Sequence, residues 1–556
     1  MLNRVFVAAL AAWVATGGLA FAGGPISTQG LPGSTPYQAT GGNAAINSGA
    51  RFGLQLNVLD FNADASGATD SSAAFIAAAA AQTQGSIRDV QVPAGSYLIS
   101  NPITVGSTTS SQCFVGQGWS SQIIVGPGFN TSALGVFLPT PNTASNVQPC
   151  IKNMRITFQQ PNDLTTTSTG TNISGQNTIN LASVAGITTG MVVNDATDPN
   201  AVPNTSNNKQ LATPTVTLIV GNTITISVNL SGTISAGHVI AFAQPRANFK
   251  TLSQGCSTTP GSAYCKYPWA VYSASQTNDV LLDNVIIESA WNGVYIRGST
   301  FHIGSLKVGA LNVGLDIDNC YNFPQIGDYL FWAFGINQTN NQAALSILYY
   351  DGNNIAANLG RTDGLAADSL QTWAGQIILT STWTFGSIRQ LMLDGANADI
   401  SILSAANKGF VLISNMYSSK PAQTYGAPVY INPVSTFLTD ISNINIISAS
   451  PYNSAFVAVN GLTILSSGVM SDIQQANIPM IKLQGGQLKL SNLSLDANPS
   501  RTDTYITQTG GVLQMGSNID FTTAPGTGGT GLSVTGAGTN QMITTSTIAW
   551  NGWAHP

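Results

Sequence analysis

Charge is what this sequence has least of. Only 7% of its 556 residues are Asp, Glu, Lys or Arg, against roughly a quarter in an ordinary soluble domain. Of the 23 acids, all but Glu288 are aspartates, and histidine is confined to His238, His302 and His555. Each scarcity excludes something. A net charge of −5 and a pI near 5.0 leave no basic stripe for a nucleic-acid partner. The cysteines and histidines fall into no zinc-like spacing. No phosphate-cradling loop is present, and His238 and His302 lack the sequence neighbours of a Ser/His/Asp arrangement. Beyond the N-terminus no run is long and apolar enough to span a bilayer.

With so few charges, the polar surface must be made by Ser, Thr, Asn, Gln and the 57 glycines. That composition suits a long parallel β solenoid, because Thr and Asn tolerate strands and tight corners and Gly supplies the bends. Residues 1–22 read as a secretory signal peptide: Arg4, an apolar Val5–Val14 and a small-x-small Ala20-Phe21-Ala22. The expected protein is therefore exported, to the periplasm, the medium or the cell surface, with no membrane span. In an oxidising compartment Cys256–Cys265 is the easiest disulfide and Cys113–Cys150 the second, leaving Cys320 free and buried.

The rest of the chain is organised around residues 57–99. Asn57–Phe61 reads as a short apolar strand, Asn62–Thr69 as a polar turn, and Ser71–Thr83 as an alanine-dense helix capped by Asp70. Phe75, Ile76, Ala79 and Ala80 are its apolar stripe. A strand, a Pro93–Gly95 turn and another strand follow. The residues Val58, Asp60, Phe61, Ala63, Asp64, Gly67, Asp70, Ser71, Ala74, Val92, Pro93, Gly95 and Tyr97 carry a pattern. It resembles the opening of the pectate-lyase-like superfamily, with Asn62 where that pattern has Gly. The resemblance implies an all-β chain: a right-handed single-stranded parallel β-helix whose N-terminal end is plugged by the helix. A plug is physically required, since an uncovered solenoid end exposes strand edges and apolar interior.

Read in order, residues 23–50 form a Gly/Ser/Pro leader and 51–164 the cap and first coils. Residues 165–245 change character. Thr223–Val228 alternates apolar and polar, the mark of a two-faced antiparallel sheet, so an inserted small β-sandwich-like module is expected. It carries no Trp or Tyr between Gln176 and Ile240, so it has no platform for sugar stacking. The main solenoid resumes over 246–523, and a Gly/Thr-rich segment occupies 524–556.

Within the main solenoid, residues 279–297 align with 300–318 at an offset of 21 (Gly293 to Gly314), and Ile303 aligns with Ile326 at 23. A period of roughly 20 to 50 residues marks repeat architectures, solenoids among them. Aligned residues should stack about 4.8 Å apart. Alternation then turns Val294, Ile296, Leu315 and Ile317 inward. Tyr295 falls beside Asp316 and Arg297 beside Asp318, all outward. Glu288 aligns with Gly309, and Gly309 with Trp332, giving a column of acid, gap and tryptophan.

An acid beside a space and an aromatic wall is what a sugar groove requires. Glycoside hydrolysis ordinarily needs two carboxylates, about 5 Å apart for retention or roughly 6.5–9.5 Å for inversion. Asp316 and Asp318, two residues apart on one strand, are about 6.6 Å apart along the backbone. Glu288 paired with Asp316 or Asp318 is the expected acid and base, with Trp332, Tyr295 and Arg297 binding substrate. The plainer readings stand beside these: Asp318 over Arg297 as a surface ion pair, Trp332 packed under a loop, Trp291 and Trp373 at structural corners, and Asp363 as a turn acid bonded to Arg361.

The segments Asp279-Val280…Gly293-Val294-Tyr295-Ile296, Phe331-Trp332-Ala333-Phe334 and Gly360–Leu365 also look like the central region of phage tailspike depolymerases, which implies a polysaccharide partner and a homotrimer. The hydrolytic motifs of polygalacturonase-like members, N-T-D, D-D, G-H-G and R-I-K, are absent. Pectate lyases use an Arg base beside acid-bound Ca²⁺, which Arg297 with Asp316 and Asp318 faintly echoes; Ca²⁺ is the one cofactor expected, and only for a lyase. The sequence thus points to a secreted protein cleaving a polysaccharide, as hydrolase or lyase. A non-catalytic adhesin or fibre-like β-helix is the alternative.

Overall fold

The computed structural model describes residues 55–81, 89–106, 112–140, 148–198, 201–202, 213–274, 279–298, 300–336, 343–344, 347, 353–395, 398–419, 427–448, 454–472, 479–497, 504–516 and 518–521, with short strands at 36–37, 46–47, 530–534, 539–540 and 548–549. The signal-peptide segment, most of the leader and most of the C-terminal segment lie outside the described residues. The chain divides into residues 1–54 and 55–556. Of the first unit, the described part is one antiparallel pair, Pro36–Tyr37 with Ile46–Asn47.

The second unit is a parallel β-solenoid of about 15 turns. Each full turn has three strands, so three parallel ladders run the length of the stack. The coils 279–297 and 300–318 show all three, pairing from Asp279↔Thr300 through Val285↔Leu306 to Arg297↔Asp318. Gly293 lies over Gly314, as the flanking pairs Asn292↔Val313 and Val294↔Leu315 require, and Ile303 lies over Ile326. Inward columns are almost wholly apolar: Val271, Val294, Leu315 and Ala357 are each fully buried in consecutive coils. One continuous core fills the tube. Among the described residues no helix is long and apolar enough to cross a membrane.

The corner between the first and second ladders explains where the asparagines go. Asn153, Asn284, Asn443, Asn492 and Asn518 all sit there with φ between 51° and 58°. Asn enters this left-handed region more readily than other side chains. Their amides bond along the stack, Asn284 Nδ2 to Asn153 Oδ1 at 2.9 Å and Asn518 Nδ2 to Asn492 Oδ1 at 3.0 Å.

The N-terminal plug differs from its sequence reading in detail. Gln55–Asn57 is the strand, and Val58–Phe61 is a 3₁₀ turn that ends on Asn62 at φ 66°. The usual Gly of this position is thus replaced by the residue that best tolerates its backbone. Ser66–Asp70 is a strand where a turn was expected, and the helix is Ser72–Ala80. The N-cap position is Ser71 rather than Asp70 and makes no side-chain capping bond; Asp70, one residue earlier, accepts the Ser72 N–H at 2.9 Å. Ala74, Phe75 and Ala78 face the core, Ala78 being i+4 from Ala74 and i+3 from Phe75, while Ile76 is turned away and 43% exposed. Phe75 closes the tube against Tyr97 and Phe114, with ring centroids 5.5 and 5.8 Å away.

Residues Leu164–Ala243 form the inserted module: two three-stranded antiparallel sheets with a hydrophobic core of their own. Its turn at Gly221 takes φ 57°. His238 does have a partner, which sequence proximity hid: its Nδ1 lies 2.7 Å from an oxygen of buried Asp195. Both expected disulfides are present, and buried Cys320 belongs to neither. Cys113 and Cys150 face each other directly across adjacent coils.

At the root of the module, Asp163 is buried and accepts the Ala343 N–H at 2.6 Å. Burial pushes its carboxyl up to about 8, against the pull of the Ala343 and Ala344 N–H groups. A folded-state value above the unfolded one gives stability that is full below the unfolded value, near pH 4, and lost as pH rises through about 8. Asp163→Asn keeps an acceptor for Ala343 but cannot ionise. The wild-type melting temperature is therefore expected to fall more between pH 5 and 9 than that of the variant; equal slopes in a thermal-shift series would refute this.

Candidate functional site

The residues singled out from sequence occupy the outer faces of coils 279–297 and 300–318, but on two different ladders. The third ladder carries one group. Its outward column runs Tyr272, Tyr295, Asp316, Asn358. Tyr272 and Tyr295 stack with centroids 4.9 Å apart and planes 8° from parallel, and Trp269 leans on Tyr295 at 5.3 Å. With Ala274, Arg297, Gly298 and Asn319 the tyrosines line a shallow cleft of about 300 Å³.

Asp316 and Asp318 extend this surface by one coil. Asp316 is partly buried and accepts from Asn358 Nδ2 at 3.0 Å. Desolvation raises its carboxyl above the ordinary value; the Asn358 bond opposes this, and the nearby Asp318 charge reinforces it. Asp318 has a different environment. It lies 3.8 Å from Arg297 Nε and accepts the Arg361 N–H at 2.9 Å and the Thr382 hydroxyl at 3.2 Å. Burial thus pushes Asp316 toward its neutral form, two residues along the strand from an acid that accepts from Arg361 and Thr382.

The second ladder carries the other group. Two neighbouring outward columns run Gln122, Arg155, Ile286, Lys307 and Ile124, Thr157, Glu288. Trp332 follows one residue after the Val308↔Phe331 pair. Trp119, Arg155, Glu288, Lys307, Gly309 and Trp332 line a cleft of about 220 Å³. Glu288 is anchored: its Oε2 accepts the Thr157 hydroxyl at 3.1 Å and lies 3.7 Å from Arg155 Nε. Arg155 in turn donates to Gln122 Oε1 at 2.9 Å. Beyond Trp332 the wall continues into Phe334 and Trp373 at 5.9 and 6.2 Å.

Three sequence expectations are corrected by this geometry. Glu288 is not brought together with Asp316 or Asp318. The neighbour of Asp316 is Tyr295, and a corner at Ser289, with φ 54° and a register shift, turns the chain between Glu288 and the third ladder. The column of acid, gap and tryptophan exists, but Gly309 is not a gap. A Cβ there would lie 2.7 Å from Gly335 Cα, so the glycine admits a crossing backbone rather than a ligand. No second carboxylate lines the Glu288 cleft.

Other residues take the plainer roles weighed for them. Asp363 pairs with Arg361 at 3.5 Å. Trp291 is packed at a corner against Phe249, at 5.9 Å, under Arg246 and Lys266. Sequence reasoning missed Trp119, Arg155, Lys307 and Tyr272. Trp119 follows Gly118, a left-handed residue at φ 73°, and that Gly-Trp corner was the available signal. Among the described residues no three acidic, histidine or cysteine side chains are grouped to hold a metal ion.

Residues 55–211 match the family model described as rhamnogalacturonase A/epimerase, pectate lyase-like. No curated protein matches the chain. Among solved structures, the chain is similar to the tailspike gp61 of Pseudomonas phage phi297, at 11% identity over 89% of this chain and 79% of that one, TM-score 0.34. It is similar to the family 28 exopolygalacturonase of Yersinia enterocolitica at 12% identity, 89% and 78% coverage and TM-score 0.37. PfbA, a surface adhesin of Streptococcus pneumoniae, matches at 11% identity, 90% and 93% coverage and TM-score 0.35. Likenesses of this degree carry no functional argument.

Proposed function

We propose that the protein is an exported, polysaccharide-cleaving β-helix whose reaction centre is the tyrosine cleft of the third ladder. The observation that carries this reading is the Asp316–Asp318 pair beside stacked Tyr272 and Tyr295. Alternate residues of one strand have backbones about 6.6 Å apart, so carboxyls that leave them side by side fall near the separation that admits a water in an inverting hydrolysis. Asp316, held toward its neutral form by burial, is the general acid that protonates the departing glycosidic oxygen. Asp318 is the base that takes the proton of the attacking water. The tyrosine edges and Arg297 seat the sugar. The pectate lyase-like match over residues 55–211 is consistent with a carbohydrate substrate.

One observation favours a binding-only reading. Asp318 already accepts from Arg361 and Thr382 and faces Arg297, which is also how a corner acid is tied down. Incubating the purified protein with a polysaccharide panel separates the two. New reducing ends that disappear in Asp316→Asn support hydrolysis. Absorbance from unsaturated uronate, lost with EDTA, would instead indicate a Ca²⁺-dependent lyase, and retention of polymer without cleavage would leave an adhesin.

A further inference from the structure

Lys307 lies between two indoles. Its Nζ is 4.2 Å from the centroid of Trp332 and 5.5 Å from that of Trp119. None of the ion pairs among the described residues includes it. In the same cleft, buried Arg155 Nε faces Glu288 Oε2 at 3.7 Å and another nitrogen of its guanidinium donates to Gln122. The cleft thus holds two cations and one carboxylate, Glu288, which is held at the side by Thr157 and Arg155. Trp119, meanwhile, is 55% exposed on a chain with few exposed large apolar side chains. An isolated lysine over an indole face is a common surface contact. A lysine between two indoles, outside every ion pair among the described residues and in one cleft of about 220 Å³ with an arginine–glutamate pair, is an arrangement with a ligand chemistry.

We infer that this tryptophan cleft is a second, non-catalytic site that binds a negatively charged sugar residue. The pyranose ring stacks on Trp119, the more exposed of the two indoles in the cleft. Its anionic substituent takes the charge of Lys307, the cation that the Arg155–Glu288 pair leaves over, in a charge-assisted bond. Glu288 then keeps Arg155 in place rather than attacking or protonating a sugar, which accounts for a lone glutamate in a cleft without a second acid. The site sits on the second ladder, whereas Asp316 and Asp318 sit on the third, so this inference stands or falls separately from the proposed cleavage.

The test is tryptophan-fluorescence titration of the full chain with three probes: a uronate trisaccharide, a sulfated disaccharide and a neutral glucan trisaccharide. At least one anionic probe is expected to bind at 20 mM NaCl and to weaken about tenfold or more by 500 mM, as contacts with an exposed anion are screened. Whichever anionic probe binds identifies the substituent as carboxylate or sulfate. Lys307→Gln should weaken it about tenfold and Lys307→Arg should restore most of the affinity. Trp119→Ala should abolish binding, and Asp316→Asn should leave it unchanged. Circular dichroism melts of each variant establish that the solenoid is intact. Three results would overturn the inference: no anionic probe bound, the neutral probe bound as tightly, or wild-type affinity in a folded Lys307→Gln. Loss of binding in Asp316→Asn would also overturn it, by placing the ligand on the other ladder.

Discussion

If the proposed cleavage holds, Asp316→Asn is expected to lower its rate by about 10²- to 10⁴-fold, the usual range for removing a general acid, with polymer binding retained. The reason is that only the proton is lost. The amide keeps the shape and can still face Asn358, which now bonds the carboxyl at 3.0 Å. The pH dependence has a definite sign. Because desolvation raises the folded-state carboxyl above its ordinary value, Asp316 stays protonated, and competent as an acid, to a higher pH than a free aspartate. The alkaline limb of the rate profile therefore belongs to it, and the variant loses that limb. For stability the same sign applies: the contribution is complete below the unfolded value and is lost as pH rises through the folded one. Asp316→Asn is thus expected to melt no earlier than wild type at neutral pH. A variant that cleaves at the wild-type rate would remove Asp316 from the chemistry; one that fails to melt cooperatively would show its role to be structural.

The second large effect is on the stack itself. Gly314→Val is expected to destabilise the protein by about 3 kcal/mol, the upper end of ordinary overpacking, and to expose the apolar interior to a hydrophobic dye. A Cβ on Gly314 would stand 2.6 Å from the Ala356 carbonyl oxygen and from a ring carbon of Phe331, and would meet the Tyr329 hydroxyl as well. Two of these neighbours belong to the core and the third to the next coil's backbone, so none can move without shifting the ladder. The coils cannot separate either, since their spacing is set by interstrand hydrogen bonds. Gly128→Ala, with nothing within 4 Å of its added Cβ, is the matched control and should melt like wild type. Equal melting temperatures for Gly314→Val and wild type would mean that Gly314 is not packed against Phe331, Tyr329 and the Ala356 backbone as described.

How far the fold was legible follows from these same residues. The 21-residue offset between Gly293 and Gly314 and the strict alternation of Val294, Ile296, Leu315 and Ile317 named the neighbours of each residue along the stack and its side of the wall. The Cys256–Cys265 disulfide followed from its short loop, and Cys113–Cys150 was the second pair expected in an oxidising compartment; both are present. The plug was legible as a unit, though its buried stripe was displaced onto Ala74 and Ala78.

What the sequence by itself determined is therefore translation along the solenoid axis and the choice between inside and outside, because both are carried by periods of the chain, one near 21 residues and one of two. What only the tertiary structure decided is the angle around that axis. A corner such as Ser289, which takes φ 54°, leaves no periodic trace, yet it puts Glu288 and Asp316 on separate faces. Nor does any period cross the Leu164–Ala243 insertion, beyond which Arg155 and Thr157 become lateral partners of Ile286 and Glu288. Side chains meet by stacking and by turning, and the chain's repeats record only the stacking.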